Sequence, residues 1–146
     1  MTSKIEIEKL YNNAGLSNLW VERYSVGNGI ENEVWHNSYN DMINTMMKNN
    51  GWTKKEAVEV AKRECRKELP EFTPKKQLEL IKLITQRCEL VISKFGRWEF
   101  TFYDGYSNFN AKSKDFSDTL ALLINTYWEN LTEKEQQKIK EILREY

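Results

Sequence analysis

The apolar residues of this chain change period several times, and each change marks an element. From Glu31 to about Asn49, Trp35, Tyr39, Met42, Ile43, Met46 and Met47 fall three and four apart, the buried stripe of a helix that Asn50-Gly51 ends. Thr53 with Glu56 forms a capping box for a helix reaching Leu69, just before Pro70, and Trp52 is placed to staple onto Ala57. Thr73-Pro74 opens another helix, because proline fits a first turn. It runs to about Ser93 with so wide an apolar surface, Leu78 through Ile92, that it reads as the central core helix. The period then drops to two: Trp98, Phe100 and Phe102 alternate with Arg97, Glu99, Thr101 and Tyr103. Asp104-Gly105 supplies a tight turn, and Tyr106 to Ala111 returns as a second strand. A helix from about Phe116 to Asn130 turns Leu120, Leu123, Ile124, Tyr127 and Trp128 inward. Thr132 with Glu135 then caps a last helix carrying Ile139, Ile142 and Leu143. Near the start, Ser3 with Glu6 caps a short helix from Lys4 that stops near Gly15. Leu19 to Val26 reads as a strand closed by the turn pair Asn28-Gly29.

These elements predict an α+β fold in a single domain over residues 1–146, mostly helical, with a small antiparallel sheet built on the hairpin 97–111. An isolated hairpin is marginal in water, so a third strand is expected, and residues 19–26 are the best source of it. Helices on one face of that sheet would bury Trp98, Phe100 and Phe102 together.

The composition supports a packed core. Forty per cent hydrophobic residues, with five Trp, seven Tyr and six Phe, exclude a disordered chain. Cys65 and Cys88 fall among core-type residues, where buried free thiols of a reducing compartment are expected. The first residues lack the apolar stretch of a secretory signal, and no run is long enough to span a membrane, so a cytoplasmic protein is expected. A net charge of zero excludes a chain basic throughout for nucleic acid, or acidic throughout as a mimic of it. The charge is uneven, however. Residues 54–97 hold twelve Lys or Arg against seven Glu, while 1–53 hold four against six acids and 98–146 six against nine.

Catalytic chemistry is thin. The lone histidine, His36, shares a helix face with Glu33 and Asn40 on this reading, which is the layout of an oriented general base, but an exposed polar face explains it better. One His and two distant Cys lack the paired spacings of a zinc site. Glu99, Asp104, Asp115 and Asp118 sit near a turn and a helix start, where acids are needed anyway. No metal, cofactor or catalytic residue is expected. Two surfaces remain. Lys55, Lys62 and Arg66 lie seven and four apart on one helix face, with Arg63 and Lys67 in the next row, and could track phosphates or an acidic partner. Glu56, Glu59, Glu64 and Glu68 dilute that row at spacings suited to local ion pairs. Tyr103 and Tyr106, with Phe109 near by, form the candidate protein-binding surface.

The stretch GRWEFTFYDGYSNFNAKSKDFSDTLALLINTYW, residues 96–128, sets a strand opened by Trp, an Asp-Gly turn, a returning strand and an Ala- and Leu-rich helix in succession. It resembles the C-terminal part of small phage-encoded proteins with an α-β-α sandwich, a group from which no catalytic residue carries over. The resemblance implies a phage or prophage accessory protein. The expected function is therefore binding without catalysis: blocking a bacterial protein or ribonucleoprotein, such as a host-defence nuclease, as anti-CRISPR proteins do. The alternative is a nucleic-acid-binding accessory or regulatory protein that uses the basic helix face.

Overall fold

The computed structural model describes residues 5–25 and 27–145. The fold is α+β. Among the described residues the elements run α1 (Ile5–Asn13), β1 (Trp20–Ser25), β2 (Glu31–His36), α2 (Tyr39–Asn50), α3 (Lys54–Glu64), β3 (Cys65–Lys67), α4 (Pro74–Thr85), β4 (Glu89–Phe95), β5 (Arg97–Tyr103), β6 (Asn108–Ser113), α5 (Phe116–Tyr127), a 3-10 turn (Trp128–Asn130) and α6 (Glu133–Arg144). The strands form two antiparallel sheets, ordered β2-β1-β3 and β4-β5-β6. The chain divides into two compact units. One is Leu16–Leu69; the other takes the chain up to Gly15 and from Pro70 onward.

In the first unit β1 pairs along its whole length with β2, from Trp20 opposite His36 to Ser25 opposite Glu31. Asn28 and Gly29 in the connection both have positive φ, the backbone the turn pair predicts. On its other side β1 pairs with β3, setting Trp20 against Lys67 and Glu22 against Cys65. A buried cluster of Met42, Ile43, Met46, Ala57, Ala61 and Cys65 joins α2, α3 and β3, and Trp20, Tyr39 and Trp52 pack against it. The Thr53–Glu56 capping box is formed, and Trp52 reaches the cluster that holds Ala57.

The second unit centres on β5. Phe100 and Phe102 are fully buried and Trp98 is half-buried on one sheet face, as the two-residue alternation requires. Phe116 of α5 meets the Trp98 and Phe100 rings edge-on at 5.0 and 4.9 Å, and Tyr127 meets Phe102 and Phe109 at 4.7 Å. α5 buries seven of its twelve residues, so it is the central helix of this unit, and α1 packs against it. The Thr132–Glu135 box caps α6, whose Ile139 and Leu143 are fully buried. Lys76 of α4 is buried too; its Nζ donates to the Leu143 carbonyl at 2.9 Å, satisfying an open acceptor at the end of α6. Desolvation holds the Lys76 pKa below the usual lysine range.

Several elements depart from the expectations above. Residues 20–25 do not extend the hairpin 97–111; they are the middle strand of the other sheet, and β4 is the third strand beside β5. Glu31–His36 is a strand, and the helix begins only at Tyr39, where the Ser38 hydroxyl accepts the Asp41 N–H at 3.2 Å. α3 ends at Glu64 because Cys65 turns to extended backbone, φ −120° and ψ 150°, and pairs with β1. α4 stops at Thr85, and Leu90, Val91 and Ile92, expected to widen its apolar surface, belong instead to β4. The expected cap Ser3, the helix start Lys4 and the strand end Val26 lie outside the described residues.

Candidate functional site

His36 sits at the end of β2, not on a helix, and it is buried, with 8% of its surface exposed. Its Nε2 donates to Glu22 Oε1 of β1 at 2.7 Å. The pairing register sets Trp20, Glu22, Cys65 and Lys67 on the same sheet face as His36, because residues directly opposite point the same way. Glu33, the expected partner, faces the other way. It accepts from Arg23 Nε at 3.1 Å, while Arg23 also pairs with Glu68. The guanidinium hydrogen bond lowers the Glu33 pKa. A histidine oriented by a carboxylate from another strand has the reach of a general base, yet a side chain so deeply buried offers a substrate almost no surface. The neighbouring Cys65 thiol is pushed up to about 11, chiefly by burial and then by the charges of Glu22 and Glu64, so it is not an activated nucleophile.

The basic row is divided between elements. Lys55, Lys62 and Arg63 lie on α3, but Arg66 and Lys67 lie on β3, where successive side chains point to opposite sheet faces. Lys62 Nζ is 3.7 Å from Glu59, both well exposed, a weak surface pair. Among the described residues no group of three or more His, Cys, Asp or Glu is placed to hold a metal ion. No helix among them is long and apolar enough to cross a membrane. Cys65 and Cys88 are both free and buried.

The aromatic candidates separate as well. Tyr103 and Tyr106 are exposed, Tyr106 almost completely, but Phe109 stands opposite Phe102 and turns inward onto Tyr127. The tip of the β5–β6 hairpin is held by Asp104, whose Oδ1 accepts the Tyr106 and Ser107 N–H groups at 2.9 and 2.7 Å. Those backbone bonds hold its pKa below the usual carboxylate range. Arg87 Nη1 donates to the Asn130 carbonyl and to Glu135 Oε1, and its guanidinium lies 5.8 Å from the Tyr127 ring centre. Burial first, and the Cys88 thiol second, push the Tyr127 pKa up to about 12.

The surface that the periodicity did not reveal is β4. It pairs with β5 through seven residues, from Glu89 opposite Tyr103 to Phe95 opposite Arg97, and among the described residues its other side is a sheet edge. Four of its residues are apolar, yet none of the seven is buried: Val91 is 51% exposed, Ile92 39% and Phe95 94%. By register Leu90, Ile92 and Lys94 share the face of Phe100, whereas Val91, Ser93 and Phe95 share the face of Thr101. The strand thus shows apolar groups on both faces, the pattern of a strand covered from both sides. The opposite edge, β6, is polar outside: Asn110 Nδ2 donates to Glu99 and Thr101, and Lys112 lies 3.4 Å from Glu99. The run Val91-Ile92 and the lone Gly96 at the β4–β5 tip, with φ +71°, were the available signals of a second hairpin.

Compared with protein-family models, with curated proteins and with solved structures, the chain matches none. Function has to be read from its own geometry.

Proposed function

We propose that this chain is a binding protein without catalytic activity, and that its docking element is the free edge of β4. The observation that carries the reading is that seven-residue edge, apolar on both faces and with no residue buried. An uncovered edge offers a row of backbone N–H and C=O groups to an incoming strand. Val91, Ile92 and Phe95 would add apolar burial on the two sides. The partner in this proposal is a bacterial protein that the chain occupies and blocks. The resemblance of residues 96–128 to small phage-encoded proteins favours a host-defence nuclease of the CRISPR–Cas kind. The alternative, direct binding of nucleic acid along Lys55, Lys62 and Arg66, is less well supported now that Arg66 has left the helix.

Affinity capture from bacterial lysate, with and without nuclease, tests this reading. The chain is expected to retain a stoichiometric protein after nuclease treatment, and the double variant Val91→Lys, Phe95→Ser is expected to lose it while staying folded. Retention of the same protein by the double variant, or loss of all capture on nuclease treatment, would contradict it.

A further inference from the structure

The unit Leu16–Leu69 contains a recess that the docking edge of β4 does not use. It measures about 380 Å³ and is lined by Trp20, Tyr39, Ala61, Lys62 and Cys65. Sites for small ligands span roughly 300–1,000 Å³, so the volume is sufficient. Its wall is aromatic: the Trp20 and Tyr39 rings are 5.0 Å apart, tilted by 56°, and both are half-buried. Its floor is small and neutral, with Ala61 buried and the Cys65 thiol held protonated by its surroundings. A cation stands at its rim. Lys62 lines it directly, and the β1–β3 register sets Lys67 beside Trp20 on the same sheet face. Acids lie near by as well: Glu22, paired with His36 at 2.7 Å, and Glu64 both act on the Cys65 thiol, and Glu59 lies 3.7 Å from Lys62. The Glu59–Lys62 pair is long and well exposed, so a stronger anion can take Lys62 from Glu59.

An aromatic wall with Lys62 at its rim and Lys67 on the same sheet face suits a ligand that joins a planar ring to an anionic group. We infer that this recess binds a nucleotide, its base against Trp20 and Tyr39 and its phosphate toward Lys62 and Lys67. Aromatic stacking accepts any base, because every base has a π-face, so selectivity for a phosphate should exceed selectivity among bases. The same chemistry is offered by a free mononucleotide and by one residue of a single strand. The inference does not depend on β4, and its failure would leave the docking proposal untouched.

The test is an NMR titration of the ¹⁵N-labelled full chain at low salt with four probes: AMP, adenosine, inorganic phosphate and a short oligothymidylate. AMP is expected to produce saturable shifts in the Trp20 indole and the Tyr39, Ala61, Lys62 and Cys65 amides. Adenosine and phosphate are each expected to bind at least about tenfold more weakly, since each supplies half of the contacts. The surface variant Lys62→Glu, Lys67→Glu should keep the wild-type spectrum elsewhere and weaken AMP about tenfold or more, with little remaining salt dependence. Tyr39→Ala should weaken AMP and adenosine alike, by about tenfold. Tighter binding of the oligothymidylate than of AMP, at the same residues, would identify a single strand as the source of the nucleotide. Absence of saturable shifts at Trp20 and Tyr39 with both AMP and the oligothymidylate would overturn the inference. Phosphate binding as tightly as AMP would overturn it too, because the aromatic wall would then have no role.

Discussion

β4 and β5 are adjacent strands of equal length, each carrying several large apolar side chains, and they meet opposite fates. On β5, Phe100 and Phe102 lose essentially all contact with solvent under Phe116 and Tyr127 of α5. One strand away, Val91, Ile92 and Phe95 remain open. Burial here follows from what lies over the sheet, because α5 packs on β5 and β6. An apolar strand left bare at an edge invites pairing with another chain, and natural sheets usually blunt such edges with charge or proline. β6 is blunted by Asn108, Asn110 and Lys112, whereas β4 has Lys94 and Glu89 at its ends and an open apolar middle.

The sharpest way to break this contrast is substitution in the two strands. Phe100→Ala should destabilise the protein by about 3–5 kcal/mol, through lost transfer free energy and the cavity left under α5. Phe95→Ala should change stability by no more than about 0.5 kcal/mol, because its ring touches mostly solvent. Urea unfolding of the two variants measures both, and a large loss for Phe95→Ala would mean that β4 is covered in the free protein. In the other sheet, His36→Ala should cost about 1–3 kcal/mol by leaving the half-buried Glu22 without its partner. A stability equal to wild type would place His36 back on an exposed surface.

A smaller effect comes from Lys94, whose Nζ lies 5.0 Å from the centre of the Trp98 ring and marks the boundary between covered and open sheet. Lys94→Ala should cost about 0.5–1 kcal/mol, the range of an exposed cation–π contact. The smallest concerns pH. Asp104 has its pKa lowered by the Ser107 and Tyr106 N–H groups, so its contribution is fully present above the unfolded value of about 3.9 and is lost as pH falls through the lower folded value. Amide exchange at Tyr106 and Ser107 should therefore quicken in acid while the β4–β5 pairing is unaffected. Equal loosening of both hairpins would contradict the assignment.

The helix caps, the period-two strand and the Asp-Gly turn were legible because each is a local signal. Thr53 with Glu56, Thr132 with Glu135, and Phe100 with Phe102 all stand where the pattern places them. The misread segments share one cause: an apolar spacing that suits a helix runs directly into one that suits a strand. Trp35 happens to fall four residues before Tyr39, which lengthens the α2 stripe backward, although Ser38-x-x-Asp41 marks the true start. Leu90, Val91 and Ile92 likewise continue the α4 stripe, although adjacent β-branched residues before Gly96 favour a strand. The helical spacing puts His36 on an exposed face for the same reason, since a helix face and a strand face place it differently. The sheet partners of residues 20–25 were not legible at all, because register across a sheet depends on segments far apart in sequence. Nor was the open face of β4, which depends on α5 packing over β5 and β6.

The most direct test of the docking edge is hydrogen–deuterium exchange of the free chain against its captured complex. The free-edge amides of residues 89–95 should exchange rapidly in the isolated protein and become protected in the complex, with those of Phe100 and Phe102 protected in both. Unchanged exchange across β4, with new protection elsewhere on the chain, would contradict the account.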